Sequence, residues 1–318
     1  MKTFFKRLLY FSLFLAIFSV VINTVFLIVI ATTDWDFVKR RESLNFKDPD
    51  FEVLVLGTSL AEYGIDTELL TSRGIKSYNL AFVGSSIKTN YIQLEEYLSR
   101  YKNKPEFVIL AINSHLERFD QDGIQPVVEF TMKGHKYGIK DVPISKFNWA
   151  GMELLKKAIR KHYRKTYVSF GQKKSPTMYP DNSDYKESYL DLEKYKSAYW
   201  MSKIASTCNE NGIEFLLIDI PGVRETQNVS PTGPYTLCFD NGDTAILYNF
   251  NSQEFCEFID LDRDWSGMSH FNKYGASRFT DLLLNYTPLV NLLDHDSPDS
   301  LKTTHIDSGS KREGDNAL

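Results

Sequence analysis

The chain has 318 residues, 42% hydrophobic and 14% aromatic, with 37 Lys and Arg against 41 Asp and Glu for a formal net charge of −4. This composition excludes a disordered, collagen-like or disulfide-dense chain, and the near-neutral balance argues against a dedicated nucleic-acid binder, which needs a basic footprint. Cys208, Cys238 and Cys256 allow at most one intramolecular bridge, Cys238 with Cys256 being favoured by spacing, and they show no metal-binding pattern.

From Leu8 to Thr33 no residue is charged and most side chains are Leu, Ile, Val or Phe. A bilayer-spanning helix needs about 20 apolar residues, whereas the apolar core of a cleaved signal has about 7–15. Residues 1–33 are therefore expected to be a cytoplasmic stub and an uncleaved single-pass anchor; a cleaved signal, with Val29 and Ala31 as the small-residue site, is the alternative. Lys2, Lys6 and Arg7 ahead of the span favour a cytoplasmic N-terminus and an extracytoplasmic body, although Lys39, Arg40 and Arg41 behind it blunt the asymmetry. Residues 34–50 read as a polar stalk, 51–294 as the folded body and 295–318 as a mobile tail with too few apolar groups to offset its ordering entropy.

Within the body, short continuous apolar runs predict strands at Glu52–Gly57, Lys76–Phe82, Glu106–Asn113, Glu214–Ile220 and Glu257–Leu261. Helical patterns predict Ile87–Arg100, Lys194–Asn209 and Lys273–Leu284. The alternation implies a three-layer α/β/α sandwich on a central parallel sheet. Ligands bind such sheets beyond the carboxyl ends of the strands, so chemistry is expected just after each run.

After the first run comes Gly57-Thr58-Ser59-Leu60, where a serine at a tight strand-to-helix turn places its hydroxyl at the sheet edge. A turn with a capping serine has the same pattern. The second loop, Asn79 to Ser86, contains Gly84, whose backbone can approach a ligand closely. The third run ends in Asn113-Ser114-His115, a carboxamide donor at the same edge. Near the C-terminus, Asp262 to Ala276 carries His270 just ahead of a helix, where an imidazole can act as general base.

In this order the motifs resemble those of the SGNH or GDSL-type hydrolase superfamily, across most of residues 51–287, with Ser269-His-Phe-Asn-Lys-Tyr-Gly-Ala276 as the most specific run. The resemblance implies a flavodoxin-like fold. It also implies Ser59 as nucleophile, His270 as its base, and the Ser59 amide, the Gly84 amide and the Asn113 side chain as the oxyanion hole, with neither cofactor nor metal. Two positions depart from the family pattern: Thr58 replaces an Asp, and Gly267 stands three residues before His270 where the orienting Asp belongs. Asp264, brought back by a bulge, or a backbone carbonyl would then hold the imidazole. Membrane-tethered members of the superfamily imply an O-acyl, above all O-acetyl, cell-wall or secreted polysaccharide as substrate. The anchor itself implies membrane lipid around it and, with the basic run at 151–174, suits an integral membrane acyltransferase as partner, while the charge balance and an exported body argue against nucleic acid. A catalytically weak or inactive glycan-binding or assembly module is the alternative.

The remaining candidates carry weaker signals. His115 reads as a loop brace or a substrate contact, and His135 and His162 as structural or solvated groups. Asn228-Val-Ser230 matches a glycosylation sequon. Residues 116–190 read as an insertion or lid, within which Gly151–Lys174 holds eight basic residues, Lys173 and Lys174 among them, against Glu153 alone. That run suits a solvated face, a contact with anionic headgroups or a contact with an acidic glycan.

Overall fold

The computed structural model describes residues 2–33, 35–115, 119, 121–132, 167–176, 186–221, 226–260, 262–267 and 270–293. Helix α1 (Lys2–Thr33) is followed by α2 (Trp35–Ser43), β1 (Val53–Gly57), α3 (Ser59–Gly64), α4 (Thr67–Ser72), β2 (Ser77–Asn79), α5 (Ile87–Arg100) and β3 (Phe107–Ile112). Next come α6 (Pro126–Thr131), a hairpin of β4 (Tyr167–Ser169) and β5 (Gln172–Lys174), then β6 (Lys186–Ser188), α7 (Leu192–Lys196) and α8 (Tyr199–Glu210). The order closes with β7 (Glu214–Asp219), β8 (Thr226–Asn228), β9 (Tyr235–Cys238), β10 (Thr244–Asn249), α9 (Gln253–Cys256) and α10 (Lys273–Tyr286).

The protein is a mixed α/β molecule on a mostly parallel sheet in the order β2-β1-β3-β7-β10-β9, with β9 alone antiparallel. Alternate residues of each central strand enter opposite apolar clusters. Val53, Val55, Ile109 and Ile218 pack with Leu60 and Ala61 of α3 and Phe279 of α10. Leu54, Leu56, Leu110 and Leu217 pack with Leu94 of α5 and Met201 of α8. Burial on both faces is why these strands read as unbroken apolar runs.

Four sequence expectations are corrected. The sheet is continued past β7 by β10, and Glu257–Leu261 forms no strand among its described residues: Ile259 is buried there as a single anchor while Phe258 is exposed. The Lys194–Asn209 helix is two helices, broken at Ser197 and Ala198. All three cysteines are free, so Cys238 and Cys256 are not bridged. Residues 34–50 do not form a plain stalk: α2 packs on α6 and buries Asp36, Phe37, Lys39, Arg40 and Ser43. The proposed tail lies outside the described residues. Lys2–Ile22 of α1 is long and apolar enough to cross a membrane, as an anchor or a signal sequence would be.

Candidate active site

The site is built where β1 turns into α3. Thr58 caps α3, its side-chain oxygen accepting from the Leu60 amide, and Ser59 opens the helix at the carboxyl edge of the sheet. On the opposing side, Asn272 caps α10 by accepting from the Tyr274 and Gly275 amides at 2.9 and 3.1 Å. Its amide group donates to the carbonyls of Arg263 and Trp265, and the Ser266 amide donates to the His270 carbonyl at 2.8 Å. With Phe271 buried beside it, the backbone of His270 is held on both sides. The result is a distance of 2.8 Å between His270 Nε2 and Ser59 Oγ, the ring of Tyr63 lying edge-on to the imidazole at 5.2 Å. With the proton on Nδ1, the Ser59 hydroxyl donates to Nε2, the arrangement in which a histidine acts as base.

Burial lowers the His270 pKa below its ordinary 6.5, with the negative charge of Glu62 acting against the shift. The imidazole is therefore neutral and able to accept a proton at pH 7. A base works only when unprotonated, so acylation of a Ser59 nucleophile is expected to fall toward acid with a midpoint below 6.5, where the depressed pKa lies. A pH profile of kcat/KM whose acidic limb has its midpoint above 6.5 would contradict this.

Asp264 does not orient His270. Its fully buried carboxylate accepts from the Asp260 amide at 2.9 Å and pairs with Arg278 at 3.2 Å and Arg263 at 3.3 Å, while its own carbonyl accepts from the Asn272 amide. It braces the loop ahead of α10, and so reaches the imidazole only through the backbone.

Ser59 and His270 are thus joined directly, whereas the other candidates are placed at the same sheet edge. Gly57 stands opposite Ala111 in the β1 and β3 register, so Ser59 and Asn113 each lie two residues beyond a paired position. Asn113 is buried; its Nδ2 donates to the Ile220 carbonyl at 2.9 Å and its Oδ1 accepts from the His115 amide, which ties the ends of β3 and β7 together. Gly84 lies in the loop after β2 with φ +73°.

His115 serves as the loop brace, its Nε2 lying 2.9 Å from Ser188 Oγ and 3.1 Å from Asn228 Oδ1. Asn228 is fully buried, its Nδ2 donating to Asn249 Oδ1, so the folded chain has no room for a glycan on this sequon. His135, His162 and positions 151–166 of the basic run lie outside the described residues. Lys173 and Lys174 belong to no solvated face: the first is buried against Asp36 and Glu62, and the second pairs with Asp66 and Glu68. Among the described residues no group of three His, Cys, Asp or Glu side chains is placed to hold a metal ion. Glu62, buried one helical turn after Ser59, was not among the sequence candidates, and its spacing on α3 was the one available hint.

No family model matches the chain, and no curated protein matches it significantly. Among solved structures, a Streptococcus pneumonia chain with the provisional description of a platelet activating factor is similar at 12% identity and a TM-score of 0.34, over 84% of this chain and 97% of that one.

Proposed function

We propose that the protein is a serine esterase or acyltransferase of the SGNH type, and the observation that carries this reading is the 2.8 Å contact between Ser59 and His270 at the carboxyl edge of the sheet. Ser59 Oγ attacks an ester carbonyl as its proton passes to His270 Nε2. The tetrahedral oxyanion is received by the Ser59 and Gly84 amides and the Asn113 carboxamide. As the C–O bond breaks, His270 returns the proton to the leaving alkoxide, and water or a sugar hydroxyl then takes the acyl group from Ser59 by the reverse sequence. The parallel strand order β2-β1-β3-β7-β10 is of the flavodoxin-like kind and supports this assignment.

In this reading α1 is a single-pass anchor with a cytoplasmic N-terminus, and the body acts outside the cytoplasm on O-acetyl groups of an envelope or secreted glycan, beside an integral membrane acyltransferase. The displacement of Asp264 favours a second reading, a weak or inactive module that binds glycan. Fluorophosphonate labelling of the detergent-solubilised chain, with peptide mass spectrometry, separates the two. Labelling confined to Ser59 and lost in Ser59→Ala is expected; a folded chain that takes no label defeats the enzyme.

A further inference from the structure

Four charged side chains from three separate parts of the chain meet in the interior beside the nucleophile helix. Lys39 of α2 donates to Glu62 Oε1 at 3.1 Å and to the Ala81 carbonyl. Lys173 of β5 donates to Glu62 Oε2 at 3.0 Å and to Asp36 Oδ1 at 2.5 Å, and Asp36 is again on α2. All four residues are buried, and two carboxylates against two ammonium groups leave no net charge. Burial draws the Lys39 pKa down to about 8 in spite of Glu62, while Lys173, drawn down by burial too, is raised by Glu62 and Asp36 together. Removing such charges from water costs several kcal/mol per ion, and apolar packing would hold a helix in place at least as well, so stability is a poor account of this cluster.

What the cluster does hold is the loop after β2. Glu62 Oε2 accepts from the Val83 amide at 3.1 Å, immediately before Gly84, while Lys39 fixes the Ala81 carbonyl and lies over the Phe82 ring at 4.7 Å. Both ends of Ala81-Phe82-Val83 are therefore held by charge-assisted bonds, Val83 by the Glu62 carboxylate one turn beyond Ser59 and Ala81 by Lys39, which pairs with that carboxylate.

We propose that the segment following α1 is a working part of the site: Lys39 of α2, acting through Glu62, positions the Gly84 loop relative to Ser59, so that docking of α2 is required for an ordered oxyanion hole. The proposal rests on the Ser59 reading and makes Lys39 and Glu62 positioning residues. Without α2, Glu62 would face Lys173 alone, the Ala81 carbonyl would lose its cation, and the loop carrying the Gly84 amide would be released.

The full chain in detergent tests this by native-state hydrogen exchange and by fluorophosphonate labelling of Ser59. In the unaltered protein, amides of α2 and of residues 80–85 are expected to open together, with one denaturant dependence. In Lys39→Met, exchange of residues 80–85 is expected to rise about 10-fold or more, and labelling to slow by a similar factor. Met201→Ala is the control. Met201 is buried on α8 rather than on α2, so its loss lowers stability while leaving the labelling rate near that of the unaltered chain. Lys39→Met with unaltered loop exchange and labelling overturns the proposal, as does an α2 that opens at lower denaturant than residues 80–85; this second arm decides the matter even where Lys39→Met does not fold. If the unaltered chain takes no label, the nucleophile reading fails, while the exchange arms still decide whether α2 controls the loop.

Discussion

His270→Ala is expected to slow Ser59 acylation by about 10⁴-fold or more, and Asp264→Asn to leave it within about tenfold. The first effect follows from the contact of 2.8 Å: without the imidazole nothing takes the hydroxyl proton, and a neutral serine is a weak nucleophile. The second follows from the placement of Asp264. In a triad whose carboxylate bonds the imidazole, exchanging Asp for Asn fixes the wrong tautomer and costs about 10⁴-fold. Here the carboxylate bonds the Asp260 amide, Arg263 and Arg278, so the amide variant loses ion pairing in the loop rather than control of the ring. Its cost should fall on stability, at about 1–3 kcal/mol, because a buried hydrogen-bonded charge is replaced by a group that can still accept. Second-order labelling rates with a fluorophosphonate, measured beside thermal melts, separate the two effects. A 10⁴-fold loss in Asp264→Asn at unchanged melting temperature would restore the carboxylate to the triad.

The two residues in contact were legible in the sequence because each follows an element with a strong local signal. Ser59 follows Val53–Gly57, a run buried on both faces, and His270 precedes α10, whose Asn272 cap and apolar stripe are local features. Helix α5 was readable to the residue, since Ser86 caps it and buried Ile87, Leu94 and Tyr97 recur on one face. Strand β10 was missed although the Asn241-Gly242 turn ahead of it marks a hairpin. The charge cluster had no local signal at all. Asp36 and Lys39 are neighbours on α2, but Glu62 and Lys173 are far from them in sequence, and a charged residue taken singly is correctly expected at the surface. Burial of such groups depends on partners that only the fold assembles, which is why the segment after α1 reads as a stalk and Lys173 as part of a basic face. Asp264 failed for a related reason: proximity in sequence to His270 favoured it as partner, and the competing claim of Arg278 lies on the next helix.

Gly57→Ala is expected to destabilise the protein by about 3–5 kcal/mol, while Gly84→Ala costs only about 1–2 kcal/mol. Both glycines have positive φ, +145° and +73° respectively, so both substitutions carry backbone strain. The difference lies in their surroundings. A Cβ at Gly57 would stand 2.2 Å from the Ala111 carbonyl oxygen and 2.5 Å from the Ala61 Cβ, whereas one at Gly84 meets nothing within 4 Å. To admit a methyl group at Gly57, β1 must part from β3 at its carboxyl end or α3 must move away from β1. Either shift displaces Ser59 from His270, and a misplacement of about 1 Å can cost about 10²-fold in rate. Gly57→Ala should therefore lower the melting temperature by roughly 6–20 °C and slow labelling by about 10²-fold. Gly84→Ala retains its amide and its space, so its melting point should fall by only a few degrees. Equal melting temperatures for the two variants would mean that the β1 and β3 edge yields freely at Ala111, and the close packing that fixes Ser59 would have to lie elsewhere.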